Sequence, residues 1–218
     1  MTTLTWIWIA GGAAAYLLGS IPFGFLLAKA AGVDIRKVGS GNIGATNVYR
    51  SVGKGTGLLT FALDFLKGVA GATLVPWLAL RLFGVSASDA AVVHLPLFCG
   101  VMTVIGHSWT CFLGFKGGKG VATSVGMLVG VAPLGAGIAF AVWLVTLFLF
   151  HYMSVASCSG ALALAAAVWV FYAGRPGGLV TASVLSALAL LVIWRHRGNI
   201  RRLFAGTEPK FSFRKGKA

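Results

Sequence analysis

Two stretches of this chain bring glycines, small polar residues and a cation together, the combination that suits phosphate. The first is Gly39-Ser40-Gly41-Asn42-Ile43-Gly44-Ala45-Thr46-Asn47, followed by Arg50. Glycines let backbone N–H groups approach an anion, Ser40, Asn42, Thr46 and Asn47 offer neutral donors, and Arg50 adds a planar fork that matches phosphate. Gly39, Gly41 and Gly44 also satisfy GxGxxG, but no strand precedes them and no acidic residue follows within a βαβ unit, so a dinucleotide site is excluded. The competing reading is a flexible Gly/Asn loop. The second stretch runs from Gly106-His107 to Phe115-Lys116-Gly117-Gly118-Lys119-Gly120-Val121. Lys116 and Lys119 sit among three glycines just ahead of a helix start, which puts two cations and several free amides at one point. A Walker A loop is excluded, because position 113 is Leu and Gly120 follows Lys119. Here the competing reading is a pair of lysines that only mark one side of a membrane.

Asp64 and Lys67 lie three apart on one helix face inside an apolar segment. Charges in a bilayer span are expensive, so the two are expected to pair with each other or with a loop cation. A structural ion pair that positions the basic loops is favoured over a general base. His107 falls near the end of an apolar segment, His196 just after the last one, and His94 and His151 at other helix ends; each alone reads as a satisfied interfacial side chain. Ser154 and Ser157 begin a span, where hydroxyls cap helices or bond between them. The three cysteines form no CxxC pair, and four acidic residues (Asp34, Asp64, Asp89, Glu208) are too few for a metal cage, so neither a metal nor another cofactor is expected.

The elements that hold these residues follow from composition. The 218 residues are 58% hydrophobic and 10% charged, which excludes an ordinary soluble domain. A net charge of +14 calls for an anionic partner. Apolar runs of about 20 residues are bilayer spans, so that partner is a lipid head group or a phosphorylated substrate and not nucleic acid. Seven apolar segments lie at about 4–28, 57–80, 90–112, 120–132, 134–150, 155–173 and 178–194. The fourth is short for a core of ~30 Å, and is expected to be tilted or partly re-entrant. The fold class is therefore an all-α integral membrane protein of about seven helices, read as one membrane domain over 1–218 with a basic cytoplasmic tail at 195–218. The first segment has no Lys or Arg ahead of it and Lys29 behind it, so it reads as a retained span.

Fifteen basic residues fall on one side: Lys29, Arg36, Lys37, Arg50, Lys54, Lys116, Lys119, Arg195, Arg197, Arg201, Arg202, Lys210, Arg214, Lys215 and Lys217. Arg81 and Arg175 fall on the other. The positive-inside rule then puts the N-terminus outside, and the C-terminus and both glycine loops in the cytoplasm.

Four separated motifs in order carry a resemblance. Ser40 to Asn47 with Arg50, Leu63-Asp64-Phe65-Leu66-Lys67-Gly68, Gly106-His107 through Thr123, and Asn199-Ile200-Arg201-Arg202-Leu203 to Gly206-Thr207-Glu208-Pro209-Lys210 are similar to the bacterial acyl-phosphate:glycerol-3-phosphate acyltransferases, the PlsY family. The resemblance runs from about residue 16 to 213. It implies an inner-membrane enzyme that moves a fatty acyl group from acyl phosphate to the 1-hydroxyl of glycerol 3-phosphate, early in phospholipid synthesis. It also implies site residues at Ser40, Asn42, Thr46, Arg50, Lys116, Ser154, His196 and Asn199. Many relatives carry Arg or Gly where this chain has His151, which is given no role.

On this reading Ser40, Lys116 and His196 do the chemistry. Gly41, Asn42, Thr46, Arg50, Gly117, Gly118, Lys119, Ser154 and Asn199 bind substrate. Membrane lipids are the remaining partner, and a single copy is expected to suffice. A phosphate-ester transporter would share the basic loops but needs a polar path at mid-membrane, where only Asp64 and Lys67 lie. A metal-dependent phosphotransferase of the CDP-alcohol type would need several aspartates that this chain lacks.

Overall fold

A computed structural model describes residues 2–211, and Arg214, Lys215 and Lys217 of the basic tail lie outside that range. The described residues form helices joined by turns and loops, with no strand among them. They divide into two compact units, one ending at Val131 and the other beginning at Ala132.

The first unit holds α1 (Thr3–Ser20), α2 (Phe23–Ala30), α3 (Ala45–Ser51), α4 (Lys54–Ala72), α5 (Leu74–Phe83), α6 (Leu95–Ser108) and α7 (Val121–Val131). Two expected segments are each broken in the middle. The first stops at Ile21 because Pro22 has no N–H to continue the ladder. The second turns at Thr73, where Pro76 deprives the Ala72 carbonyl of its helical donor and the Thr73 hydroxyl bonds back to Val69 O at 2.8 Å.

Glycines let the spans approach closely. A Cβ at Gly19 would collide with the Thr103 carbonyl, and one at Gly106 with the Tyr16 carbonyl, so α1 and α6 touch backbone to backbone. Gly68 meets Thr123 O and Gly126 meets Phe65 O in the same way between α4 and α7. Small residues at such crossings supply the contact that the hydrophobic effect cannot supply in lipid.

The second unit holds α8 (Pro133–Phe150), α9 (Met153–Phe171), α10 (Gly178–Arg195) and α11 (Arg197–Phe204). α8 packs on α9 and α9 on α10, and alanines of these helices such as Ala136, Ala139, Ala156 and Ala182 are buried. α11 starts where α10 ends, with His196 capping both. The chain after it folds back: Phe211 N donates to His151 O at 2.6 Å and Lys210 lies 5.8 Å from the Tyr152 ring. The start of the basic tail is thus folded structure and more than a lipid anchor.

Among the described residues six helical stretches are long and apolar enough to cross a bilayer: Thr3–Ala30, Lys54–Phe83, Ala90–Leu113, Pro133–Phe150, Met153–Phe171 and Gly178–Arg195. α7 has 11 residues. At 1.5 Å per residue that is about 16 Å, against a core of ~30 Å, as its short apolar run anticipates. Leu82 (81% exposed), Val170 (74%) and Leu149 (70%) point outward, an arrangement stable in lipid and not in water.

Candidate active site

The loop between α2 and α3 is organised from within by Asn47. Its Nδ2 donates to the carbonyls of Asn42 (2.9 Å), Val38 (3.1 Å) and Ile35 (3.3 Å), while Oδ1 accepts from Ser40 N at 3.0 Å. Gly39 and Gly41 adopt φ of 58° and 68°, and a Cβ on Gly39 would strike Asn47 Oδ1. Asn42 Oδ1 accepts from Gly44 N at 2.8 Å. Ile35, Ile43, Val48 and Ala28 form a buried cluster beneath. The loop is therefore held in one shape, which removes the flexible-loop reading, and Asn47 is its internal brace instead of a substrate donor.

Ser40 and Arg50 are exposed on this frame, with Asn42 and Thr46 half-buried. Thr46 and Arg50 lie four apart in α3 and share a face. Arg36 is committed elsewhere: it donates through Nε and Nη2 to the two Asp34 oxygens, at 2.9 Å each. That hydrogen bond, ahead of the charges of Arg36 and Lys37, holds the Asp34 carboxyl at about 2.

The second glycine loop hangs from the end of α6. Thr110 Oγ1 donates to Ser20 O and Tyr16 OH to Trp109 O, tying its start to α1 at 2.5 and 2.8 Å. Phe115 takes the left-handed conformation, φ 60°, where its N–H reaches Thr110 O at 2.9 Å, and Lys116 stands exposed directly after it. The amides of Gly117 and Gly118 are not available to an anion, contrary to the sequence reading. They donate to Ser108 O (3.1 Å) and His107 O (3.0 Å) because the loop doubles back onto the end of α6. Leu113 of this loop packs against the Ala28, Ile35, Ile43 and Val48 cluster, which brings the segment bearing Lys116 beside the segment bearing Ser40 to Arg50.

Below it, Asp64 Oδ1 lies 2.8 Å from Lys67 Nζ and 3.4 Å from His107 Nδ1, all three side chains being buried. Lys67 Nζ also donates to Ile21 O at 2.8 Å, where the first span breaks. The expected ion pair is there; sequence reasoning missed the addition of His107, whose partner lies 43 residues away.

In the second unit, Ser154 and Asn199 meet at Glu208, which also takes Arg202 Nε on Oε2 at 2.9 Å. Burial pushes the Glu208 carboxyl up, but the bonds from Asn199, Ser154 and Arg202 outweigh it and leave the group below the ordinary glutamate range. His196 is buried with Nδ1 2.8 Å from Val192 O. A carbonyl only accepts, so Nδ1 carries the hydrogen and Nε2 is the basic nitrogen. Among the described residues no three His, Cys, Asp or Glu side chains gather as a metal set.

Apolar helices closed by glycines, ending in loops that carry Ser40, Arg50 and Lys116, define an integral membrane protein. The family model described as Glycerol-3-phosphate acyltransferase matches residues 9–206. By that match the chain belongs to the glycerol-3-phosphate acyltransferase family, and it is a membrane enzyme. The glycerol-3-phosphate acyltransferase of Geobacter metallireducens is 50% identical over 199 residues, covering 91% of this chain and 95% of its own. That of Aquifex aeolicus is 45% identical over 197 residues, covering 90% and 95%. The crystal structure of PlsY (YgiH), an integral membrane glycerol 3-phosphate acyltransferase, in its glycerol 3-phosphate form superposes with a TM-score of 0.79 at 41% identity, over 97% of this chain and 96% of that one. Its lysophosphatidic acid form gives 0.76 at 40% identity over the same shares.

Proposed function

We propose that this enzyme transfers a fatty acyl group from acyl phosphate to the 1-hydroxyl of glycerol 3-phosphate, giving 1-acylglycerol 3-phosphate and inorganic phosphate. The glycerol oxygen forms a bond to the acyl carbon, the acyl-carbon bond to the phosphate oxygen breaks, and the hydroxyl proton passes to a base. The observation that carries this reading is the docking of Leu113 on the Ile35, Ile43 and Val48 cluster, which sets two cation-bearing loops side by side. Two phosphate-bearing reactants repel each other, and fixed cations are what lets them meet at one carbon.

Lys116 and Ser40 stabilise the tetrahedral oxyanion and the leaving phosphate. Arg50, with Asn42 and Thr46, holds a substrate phosphate, and Gly41 keeps the backbone turn open for it. Gly117 and Gly118 contribute by fixing Lys116 and Lys119, their amides being bonded to the end of α6 and not to substrate. His196 and Asn199 are assigned to glycerol 3-phosphate and Ser154 to substrate binding. Two groups can take the hydroxyl proton: Nε2 of His196, and a substrate phosphate oxygen with second pKa of about 6. Acyl phosphate is already activated, so orientation supplies much of the acceleration and no covalent enzyme intermediate is needed. An apolar groove of about 340 Å³, lined by Ile21, Pro22, Phe25, Leu26, Phe112 and Leu113, suits the first carbons of the acyl chain arriving from the bilayer.

We assign the reaction to the cytoplasmic side of the inner membrane, with the N-terminus outside, a reading that the charge of the basic loops supports. That orientation counts α7 as a crossing, its shortness met by local thinning of the bilayer. One copy contains every residue invoked.

The test is the purified protein with glycerol 3-phosphate and either palmitoyl phosphate or palmitoyl-CoA, in EDTA, following lysophosphatidate and phosphate. Product from palmitoyl phosphate alone supports the donor assignment; product from palmitoyl-CoA alone overturns it.

A further inference from the structure

We propose that Asp64, Lys67 and His107 form a buried relay that fixes the Lys116–Gly120 loop, with His107 as the positioning residue that grips it. The inference rests on the proposed action of Lys116 on the acyl phosphate.

Three ionisable side chains within apolar spans carry a desolvation cost that three apolar residues of the same volume would avoid. What apolar residues cannot supply is direction, and direction is what this cluster has. The break at Pro22 turns the Ile21 carbonyl toward Lys67, which donates to it at 2.8 Å. The same ammonium holds Asp64 Oδ1 at 2.8 Å, and that oxygen faces His107 Nδ1 at 3.4 Å. The Asp64 and Lys67 side chains come from α4 and the imidazole from α6, so the carboxylate that the ring faces belongs to a helix other than its own.

His107 then meets Gly118 twice. Its carbonyl accepts the Gly118 N–H at 3.0 Å, and the Nε2 edge of its ring fills the place where a Gly118 side chain would begin. A ring turned away from Asp64 would press on Gly118 or leave it unsupported. Lys116 stands two residues before Gly118 and Lys119 one after, so a shift there displaces both ammonium groups. A displacement near 1 Å can cost a hundredfold in rate when the displaced group acts on the transition state.

Two variants of the full-length enzyme test this. Asp64→Leu/Lys67→Met removes both charges together, the exchange that buried pairs tolerate. His107→Phe keeps an aromatic ring and the backbone carbonyl but loses Nδ1. Each is expected to lower kcat per folded molecule by about tenfold or more with KM for glycerol 3-phosphate within about twofold. Hydrogen exchange of the 116–120 amides should rise while that of 36–44 stays at the wild-type rate; a general loss of stability would raise both. His107→Asn, whose amide nitrogen overlays Nδ1 and can donate to Asp64, should recover part of kcat. Wild-type kcat and wild-type loop exchange in either folded variant overturn the relay. Should the double variant not fold, His107→Phe, which leaves the Asp64–Lys67 pair whole, decides alone. Loop exchange is read without substrate, so a wild-type enzyme inactive on both acyl donors would overturn the function while the relay is still judged.

Discussion

Asn199 donates its side-chain amide to Glu208 Oε1 at 2.6 Å, and with that bond the segment after α11 is closed onto α11 itself. The same oxygen takes Ser154 Oγ at 2.9 Å, so one carboxylate ties the start of α9 to both.

Glu208 therefore makes the second unit sensitive to acid. Its folded pKa lies below the ordinary value of about 4.3, so the unfolded chain takes up the proton first as pH falls. The stabilisation is complete above that ordinary value and is lost as pH drops through the depressed folded value. Thermal midpoints of the purified enzyme between pH 7 and pH 3 should fall more steeply for wild type than for Glu208→Gln. At pH 7 that variant should lose about 1–3 kcal/mol, because an amide N–H now faces donors.

Lys116→Ala should lower kcat by about 10²–10³ with little change in KM, as removal of an oxyanion donor does. Steady-state kinetics with varied palmitoyl phosphate read this directly. A variant with raised KM and wild-type kcat would take Lys116 out of the transition state.

Arg50→Ala should raise KM for glycerol 3-phosphate by about 10- to 100-fold, the worth of a charge-assisted phosphate contact. Arg50→Lys should recover only part, because a point charge lacks the fork. Unchanged KM in Arg50→Ala would show that another group holds that phosphate.

Asn47→Ala should abolish most activity although Asn47 itself reaches no substrate. It would strip partners from Ser40 N and from the Ile35, Val38 and Asn42 carbonyls. Faster hydrogen exchange confined to 36–44, at a thermal midpoint near that of wild type, would mark the loss as one of loop shape. A variant with full activity would show Asn47 to be dispensable.

Local chemistry is legible in this sequence, and long-range pairing is not. Apolar runs long enough to span lipid, the excess of cations in a few loops, and glycines beside Arg50 and Lys116 are properties of contiguous residues, so the membrane fold and the two cation-bearing glycine loops could be read directly. Pro22 and Pro76 were legible as residues, but whether a proline ends or merely bends a span depends on what receives the stranded carbonyls. For Ile21 O that receiver is Lys67, 46 residues on. Asp64 announced itself as the one carboxylate within a span, yet His107 was chosen from four histidines by the crossing of α4 and α6. The Gly117 and Gly118 amides were read as anion donors because a glycine run leaves its N–H groups open until a fold supplies acceptors; the end of α6 supplied them. Composition and spacing thus determined the membrane fold and the candidates for meeting an anionic partner. Which donors remain for that partner was decided only when packing had satisfied the rest, because a buried polar group takes the nearest acceptor the fold provides, whatever its distance in sequence.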